Sequence, residues 1–456
     1  MEQDLIEKID ERIGGLREEL ADLTIRLVNI KSEQGQPLPG APFGEGPKQV
    51  LDEMLHLGEA AGFACTDYGV GVVSLALKDE KPDLGIWLHG DVVPAGKGWK
   101  FDPYNAVEYQ GCIVGRGATD NKGQLAAVFL LLRLFKCLQI PLKYNPAIYI
   151  GSNEETGMRD AVEFLKIADA PRLSLVPDSG FPIGYGGKGS VTLKLKSRTP
   201  LHGCTLTAGQ PEDPGTITAL FDSAPTNREL PGCTVDGNQL TAWTPPKHGA
   251  HPDPNGNMIT VLSQAMLTGG LAHKEDRYIW EFLNAVSADI DGETLGIRAT
   301  SPDMKPLTVF AGKIDNADGH PELTLNIRYP DSITPEEILR RATENAEKRG
   351  FAVTFVKVGT PAYRVDKDTP AARMLCETAN AITGNDAAPY TLSGGTYANY
   401  LPNAYAYGAN GCLRPADFPK DRGGAHGVDE LVSLDRLQRF MRIYARALLK
   451  LNNMDC

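Results

Sequence analysis

The sequence predicts an α/β protein: an open mixed sheet flanked by helices, with a second, α+β domain inserted into it. Three observations carry this reading. Through the first part of the chain, short apolar runs alternate with helical patterns, and each run ends in a cluster of polar residues, where open α/β sheets place their sites. From about Gly189 the texture changes to segments whose alternate residues are apolar, as in half-buried strands. Helical periodicity then returns at Ala371–Thr383. Residues 1–187 and 361–456 are therefore read as one domain and 188–360 as the insertion. A chain of 456 residues exceeds what a single core accommodates.

Taken in order, Leu5, Ile9, Ile13, Leu16, Leu20, Leu23, Leu27 and Ile30 recur at helical spacing, interrupted near Gly14-Gly15. A Gly- and Pro-rich loop follows, then a helix over Pro47–Ala61 and strands over Val70–Leu77 and Leu84–Leu88. Residues 95–109 read as a polar loop and 115–123 as a turn opening an apolar helix, Gln124–Leu138. A buried strand, Ala147–Ile150, runs into Glu154-Glu155. A helix, Asp160–Ala168, and a short strand, Leu173–Val176, lead to Asp178. In the insertion, Ser190–Lys196 and Leu323–Tyr329 alternate as strands, Pro335–Arg349 is helical, and the remainder reads as strands and Pro/Gly turns. Gly184–Gly189 matches GxGxxG, but a strand pattern follows where a dinucleotide site needs a helix.

Composition narrows the function. A net charge of −12 disfavours nucleic acid or an anionic membrane as partner and suits a protein that holds cations. The charged, amphipathic start is not a secretory signal, and no apolar stretch is long enough to span a membrane. Eight cysteines without CxxC spacing exclude zinc-finger and thioredoxin readings and point to free thiols in a reduced, cytoplasmic protein.

The strand-end polar residues form one constellation. His89 and Asp91 stand two apart and share a strand face, so an imidazole ligand and its orienting carboxylate fall together. Asp120, Glu154, Glu155, Asp178 and His426 stand at other strand ends and turns. Two histidines among several carboxylates suit zinc, manganese or cobalt and are too rich in nitrogen for a calcium cage. A two-metal site about 3.5–4 Å across, sharing one carboxylate, activates a water to attack a carbonyl. His56, His202, His273 and His320 read as structural or surface residues.

These residues lie in blocks that resemble the zinc aminoacylase/dipeptidase metallopeptidases, in particular the PepV-like bacterial dipeptidases. The blocks are His89–Pro94, Gly115–Gly123, Glu154–Gly157, Asp178–Pro182 and His426–Glu430, in the family's order. The resemblance implies a catalytic domain with a lid and two divalent ions, one held by His89 and Asp178, the other by Glu155 and His426. Asp120 would bridge them, with a cis peptide before Asn121. Glu154 would be the general base and Asp91 the orienter of His89. In the lid, His251 would stabilise the oxyanion, with His248 as its rival. Arg328 would pair with a substrate carboxylate, and Ser393, Gly394 and Gly395 would let backbone approach the substrate.

The implied activity is hydrolysis of dipeptides with a free C-terminal carboxylate. Alternatives are an N-acyl-amino-acid deacylase of the same family and, more remotely, an inactive binding protein. Two features depart from the family pattern: Ala208–Pro211 lacks the expected asparagine, and 410–420 matches no block. The insertion is long for the family, and in PepV-like members such a lid stands in for a partner's; a monomer is favoured over a homodimer.

Overall fold

A computed structural model describes residues 2–208, 216–225, 229–243, 257–316, 318–409 and 413–454. The chain forms two compact units: 1–186 with 364–390 and 396–456, and 187–363 with 391–395.

The first unit is built on a mixed sheet. Six of its nine strands run in the order Ala64–Asp67, Val72–Ala76, Pro146–Gly151, Leu84–His89, Leu173–Val176, Ala404–Ala406. The last four are parallel and the first two antiparallel. Parallel strands covered by helices on both faces need no polar side, and Leu84–His89 is buried at every position. Trp87 and Tyr149 face each other across the pair and stack at 4.5 Å. Helix Gly123–Cys137 is apolar almost all round and correspondingly buried. It packs against Arg17–Val28 and Leu434–Leu451.

Register decides where the polar strand ends meet. Leu84 pairs with Pro146 and His89 with Gly151, so two parallel strands stop level. The Gly90 amide then donates to the Gly151 carbonyl at 2.9 Å and holds the two departing loops side by side. Glycine is required at 151 because a Cβ there would meet the Tyr397 hydroxyl at 1.8 Å. A small sheet, Leu431–Ser433 with Cys112–Val114 and Val107–Tyr109, carries the C-terminal block to the Gly115–Asp120 turn.

In the second unit one four-stranded antiparallel sheet joins Thr308–Asp315, Glu322–Tyr329, Gly189–Ser197 and Phe351–Val358. Another joins Cys204–Ala208, Thr216–Phe221, Gln239–Trp243 and Cys233–Asp236. Gly189–Ser197 alternates buried and half-buried along its whole length, as its sequence predicts.

The structure differs from the sequence reading in three places. Residues 107–109 are a strand, because Gln110 and Gly111 both take positive φ and close a two-residue hairpin. The turn before the apolar helix is itself a wide helical turn, Ala118–Lys122, opened at Asp120. The insertion also holds two unanticipated helices. Met258–Thr268 is capped by the Asn257 side chain, and Arg277–Ala288 buries Ile279, Trp280, Leu283 and Val286.

Candidate metal centre

His89 ends the central strand and is wholly buried. Its Nδ1 donates to the Asp91 carbonyl at 2.9 Å, which turns Nε2 outward, 3.0 Å from Asp120 Oδ1. A ring fixed through Nδ1 presents Nε2 as a ligand atom. The Asp91 carboxylate lies farther from the ring, at 3.6 Å. It accepts instead the amides of Glu154 and Glu155, each at 3.1 Å, and so ties the acidic pair to the His89 loop.

Asp120 sits on the turn that opens the apolar helix, and its peptide with Asn121 is cis. One oxygen faces His89 at 3.0 Å; the other is 3.2 Å from His426 Nε2. Buried Glu430 holds the backbone of this turn. Its Oε1 accepts the amides of Thr119 and Asp120, both at 3.0 Å, while Oε2 takes Arg116 Nη1 at 2.5 Å. Arg116 also donates to the His426 carbonyl at 3.2 Å and lies over the Trp99 ring. Glu430 stands inside the last sequence block, yet the sequence reading gave it no role.

His426 adopts a positive φ and directs Nε2 at Glu155, 3.0 Å from Oε2. His89, Glu154 and Asp178 offer ligand atoms that all lie within 4.8 Å of one another, as do His89, Asp120 and Glu155. A further buried carboxylate, Asp160, accepts the amides of Ser152 and Asn153 at 2.7 and 2.9 Å and the Tyr397 hydroxyl at 2.6 Å.

The electrostatics show a site short of positive charge. Burial and then the Asp178 carboxylate raise the Glu154 pKa well above its ordinary value, and burial raises Glu155 as well. Donating to Asp120 and Glu155 drives His426 up to about 11. Burial works against a charged His89, but Asp120 and Asp91 still hold its pKa well above the ordinary value. Four carboxylates thus meet two imidazoles that must be protonated to balance them. Divalent cations meet that demand, and the nitrogen and oxygen donors are those of zinc, manganese and cobalt. The residues fit the ions.

The remaining predicted residues lie elsewhere. Arg328, Ser393, Gly394 and Gly395 belong to the second unit, and His251 and His248 lie outside the described residues. Arg328 is half-buried on its strand, close enough to Lys188 for the two charges to act on each other. Its buried Nε has no hydrogen-bond partner, and among the described residues it forms no ion pair.

The sequence model of peptidase family M20/M25/M40 matches residues 86–450. A Staphylococcus haemolyticus relative named "Putative dipeptidase SH1171" is 27% identical, with 98% of each chain covered. "Putative dipeptidase YtjP" of Bacillus subtilis is also 27% identical, over 95% of this chain and 97% of that one. Among solved structures, human carnosine dipeptidase 1 superposes with a TM-score of 0.62 at 16% identity, covering 99% of both chains. A Bacillus subtilis protein described as a dinuclear metal-binding peptidase of the M20 family gives 0.51 at 11%, over 96% and 99%. Among the described residues no helix is long and apolar enough to cross a membrane.

Proposed function

The chain belongs to peptidase family M20/M25/M40, and from that premise we propose that it is a two-metal dipeptidase cleaving the amide bond of dipeptides that end in a free carboxylate. The observation that carries this reading is Asp120, whose two oxygens each face a different histidine, with Glu154 in the same cluster. The names of the bacterial relatives point the same way.

In this reading His89 and Asp178 hold one divalent ion, Glu155 and His426 the other, and Asp120 both. When bound, such ions polarise the scissile carbonyl and lower the pKa of water. Glu154 takes the proton from the attacking water and passes it to the leaving amine, the two halves of general base and acid catalysis. Its raised pKa suits a group that must both accept and return a proton near neutral pH. Asp91 fixes Glu154 and Glu155 through their amides. His251, with His248 as its rival, donates to the developing oxyanion. Arg328 takes the substrate carboxylate, a role supported by its unpartnered Nε and its cationic neighbour Lys188. Ser393–Gly395 offers backbone to the same substrate.

The test is Glu154→Ala. The expected variant keeps its metal by elemental analysis and loses about a hundred- to ten-thousandfold in turnover; near-wild-type turnover overturns the mechanism. A panel of dipeptides against N-acetyl amino acids decides between dipeptidase and deacylase.

A further inference from the structure

Away from this centre, the described residues bring one other set of histidine and carboxylate ligand atoms together, within the second unit: His202, His273 and Asp276. His202 lies in the loop between the strands Gly189–Ser197 and Cys204–Ala208. His273 and Asp276 lie in the turn between the helices Met258–Thr268 and Arg277–Ala288. The Asp276 amide donates to the His273 carbonyl at 3.0 Å, and this closure brings the two side chains together.

Asp276 is the unusual member. It stands at the N-cap of its helix, where an aspartate ordinarily accepts an amide of the first turn, but its side chain makes no such bond. Only 1% exposed, it turns both oxygens to His202 instead. Oδ2 accepts the His202 amide at 2.6 Å, and Oδ1 lies 2.6 Å from ring Nδ1. The His273 ring stands 5.3 Å from the His202 ring, centre to centre. One ligand atom from each of the three residues lies within 4.8 Å of the other two. Glu275 Oε2 is 3.7 Å from His202 Nε2. The exposed His273 ring stands beside this pair, its Nδ1 accepting the Glu275 amide at 3.4 Å. Two imidazoles and a carboxylate at the edge of solvent are the donor set of zinc-type cations.

We propose that His202, His273 and Asp276 form a separate site for a divalent transition-metal cation of the zinc class, with Glu275 or water completing four-coordination. The cation takes the place of the hydrogen between His202 Nδ1 and Asp276 Oδ1; that proton moves to Nε2 of a neutral ring, or to solvent from a protonated one. Bound there, it fastens the loop before Cys204 to the turn before helix Arg277–Ala288, segments 74 residues apart, and stabilises the folded second unit.

The experiment is a calorimetric zinc titration of the full-length protein, comparing wild type with His273→Ala, an exposed position. Wild type is expected to bind one more equivalent of zinc than the variant, or to bind it at least about tenfold more tightly. Added zinc should raise the melting temperature of wild type more than that of the variant, while peptide turnover stays unchanged. Asp120→Ala retains this equivalent, so failure of the dipeptidase reading leaves the outcome intact. Equal stoichiometry and affinity in wild type and His273→Ala overturn the site.

Discussion

Replacing Glu430 by glutamine tests whether the Asp120 turn is held by one buried carboxylate. Glu430 is fully buried, and Arg116 is 1% exposed. Burial raises the Glu430 pKa to about 7 against the pull of Arg116, so measurements belong at about pH 8, where the carboxylate is charged. Glutamine has one oxygen for two tasks. If that oxygen keeps the amides of Thr119 and Asp120, the new NH2 faces Arg116 Nη1 and leaves a buried guanidinium without its counter-charge, a loss of about 3–5 kcal/mol. If the amide flips, two buried N–H groups lose their acceptor, at about 1–3 kcal/mol each. Either arrangement costs several kcal/mol and loosens Asp120. Urea unfolding of the chelated protein should therefore show a loss of at least about 3 kcal/mol, and zinc affinity should fall by about 10–100-fold, as for other groups that orient ligands. The double variant Arg116→Met/Glu430→Leu separates the two roles. It removes the orphaned charge but leaves the Thr119 and Asp120 amides without an acceptor, so it should recover only the part of the stability that the unpaired guanidinium cost, and zinc affinity stays low. A Glu430→Gln protein within about 1 kcal/mol of wild type, with unchanged zinc affinity, refutes the reasoning.

Other outcomes follow from the same geometry. Asp160 is buried and its pKa is raised from 3.8 to about 6, first by burial and then by Asp91. The folded state thus holds this proton more tightly than the unfolded chain, and the stability it contributes is full below about 3.8 and lost as pH rises through about 6. Wild type should lose about 2.5 kcal/mol relative to Asp160→Asn between about pH 4 and pH 7 in chelator; a flat or inverted difference in paired denaturation curves contradicts this. Cation uptake at neutral pH should release at least one proton, from His426. Calorimetry in buffers of different ionisation enthalpy reads that number, and a value of zero removes the charge argument. Arg328→Ala should lower kcat/KM for dipeptides by about 10–100-fold, the worth of a charge-assisted bond. For dipeptide amides, which lack the carboxylate, the change should be far smaller; equal losses on both substrates exclude the assigned role.

What the sequence could and could not show divides along range. The candidate ligands stood out in the sequence because they lie at the ends of local patterns: an apolar strand runs into His89, another into Glu154-Glu155, and an apolar helix starts just after Asp120. The alternation of Gly189–Ser197 marked the second unit in the same local way. The two helices of the insertion were obscured because Met258–Thr268 lacks a charged face that would mark a helical period, and its cap is a single asparagine. The bracing groups were illegible for a different reason. Glu430 serves Asp120 across 310 residues, and Tyr397 reaches Asp160 across 237. Periodicity tells which face of an element is buried, but not which distant amide a buried acid will find. Asp91 shows the limit: its place two residues after His89 suggested a partner for the ring, which its carboxylate approaches to 3.6 Å, but nothing local showed that the same carboxylate also takes the amides of 154 and 155.

These bracing groups share one physical device. Asp91 takes the amides of Glu154 and Glu155, Asp160 those of Ser152 and Asn153, Glu430 those of Thr119 and Asp120, and Asp429 those of Lys100 and Phe101. Each is a buried acid accepting two consecutive backbone N–H groups, an arrangement that favours negative charge; Glu430 and Asp429 have a side-chain cation as well, in Arg116 and Arg422. Loops at strand ends have no ladder partners for these amides, and leaving them buried and unpaired would be costly. A carboxylate satisfies two at once and fixes the peptide plane between them, which in two cases carries a candidate ligand. Asp91 and Asp160, which pair with no Arg or Lys among the described residues, add negative charge beside a cluster already rich in carboxylates. The same acids that hold the loops therefore raise the site's demand for cations, so the rigidity of the candidate centre and its affinity for divalent ions arise from one set of residues.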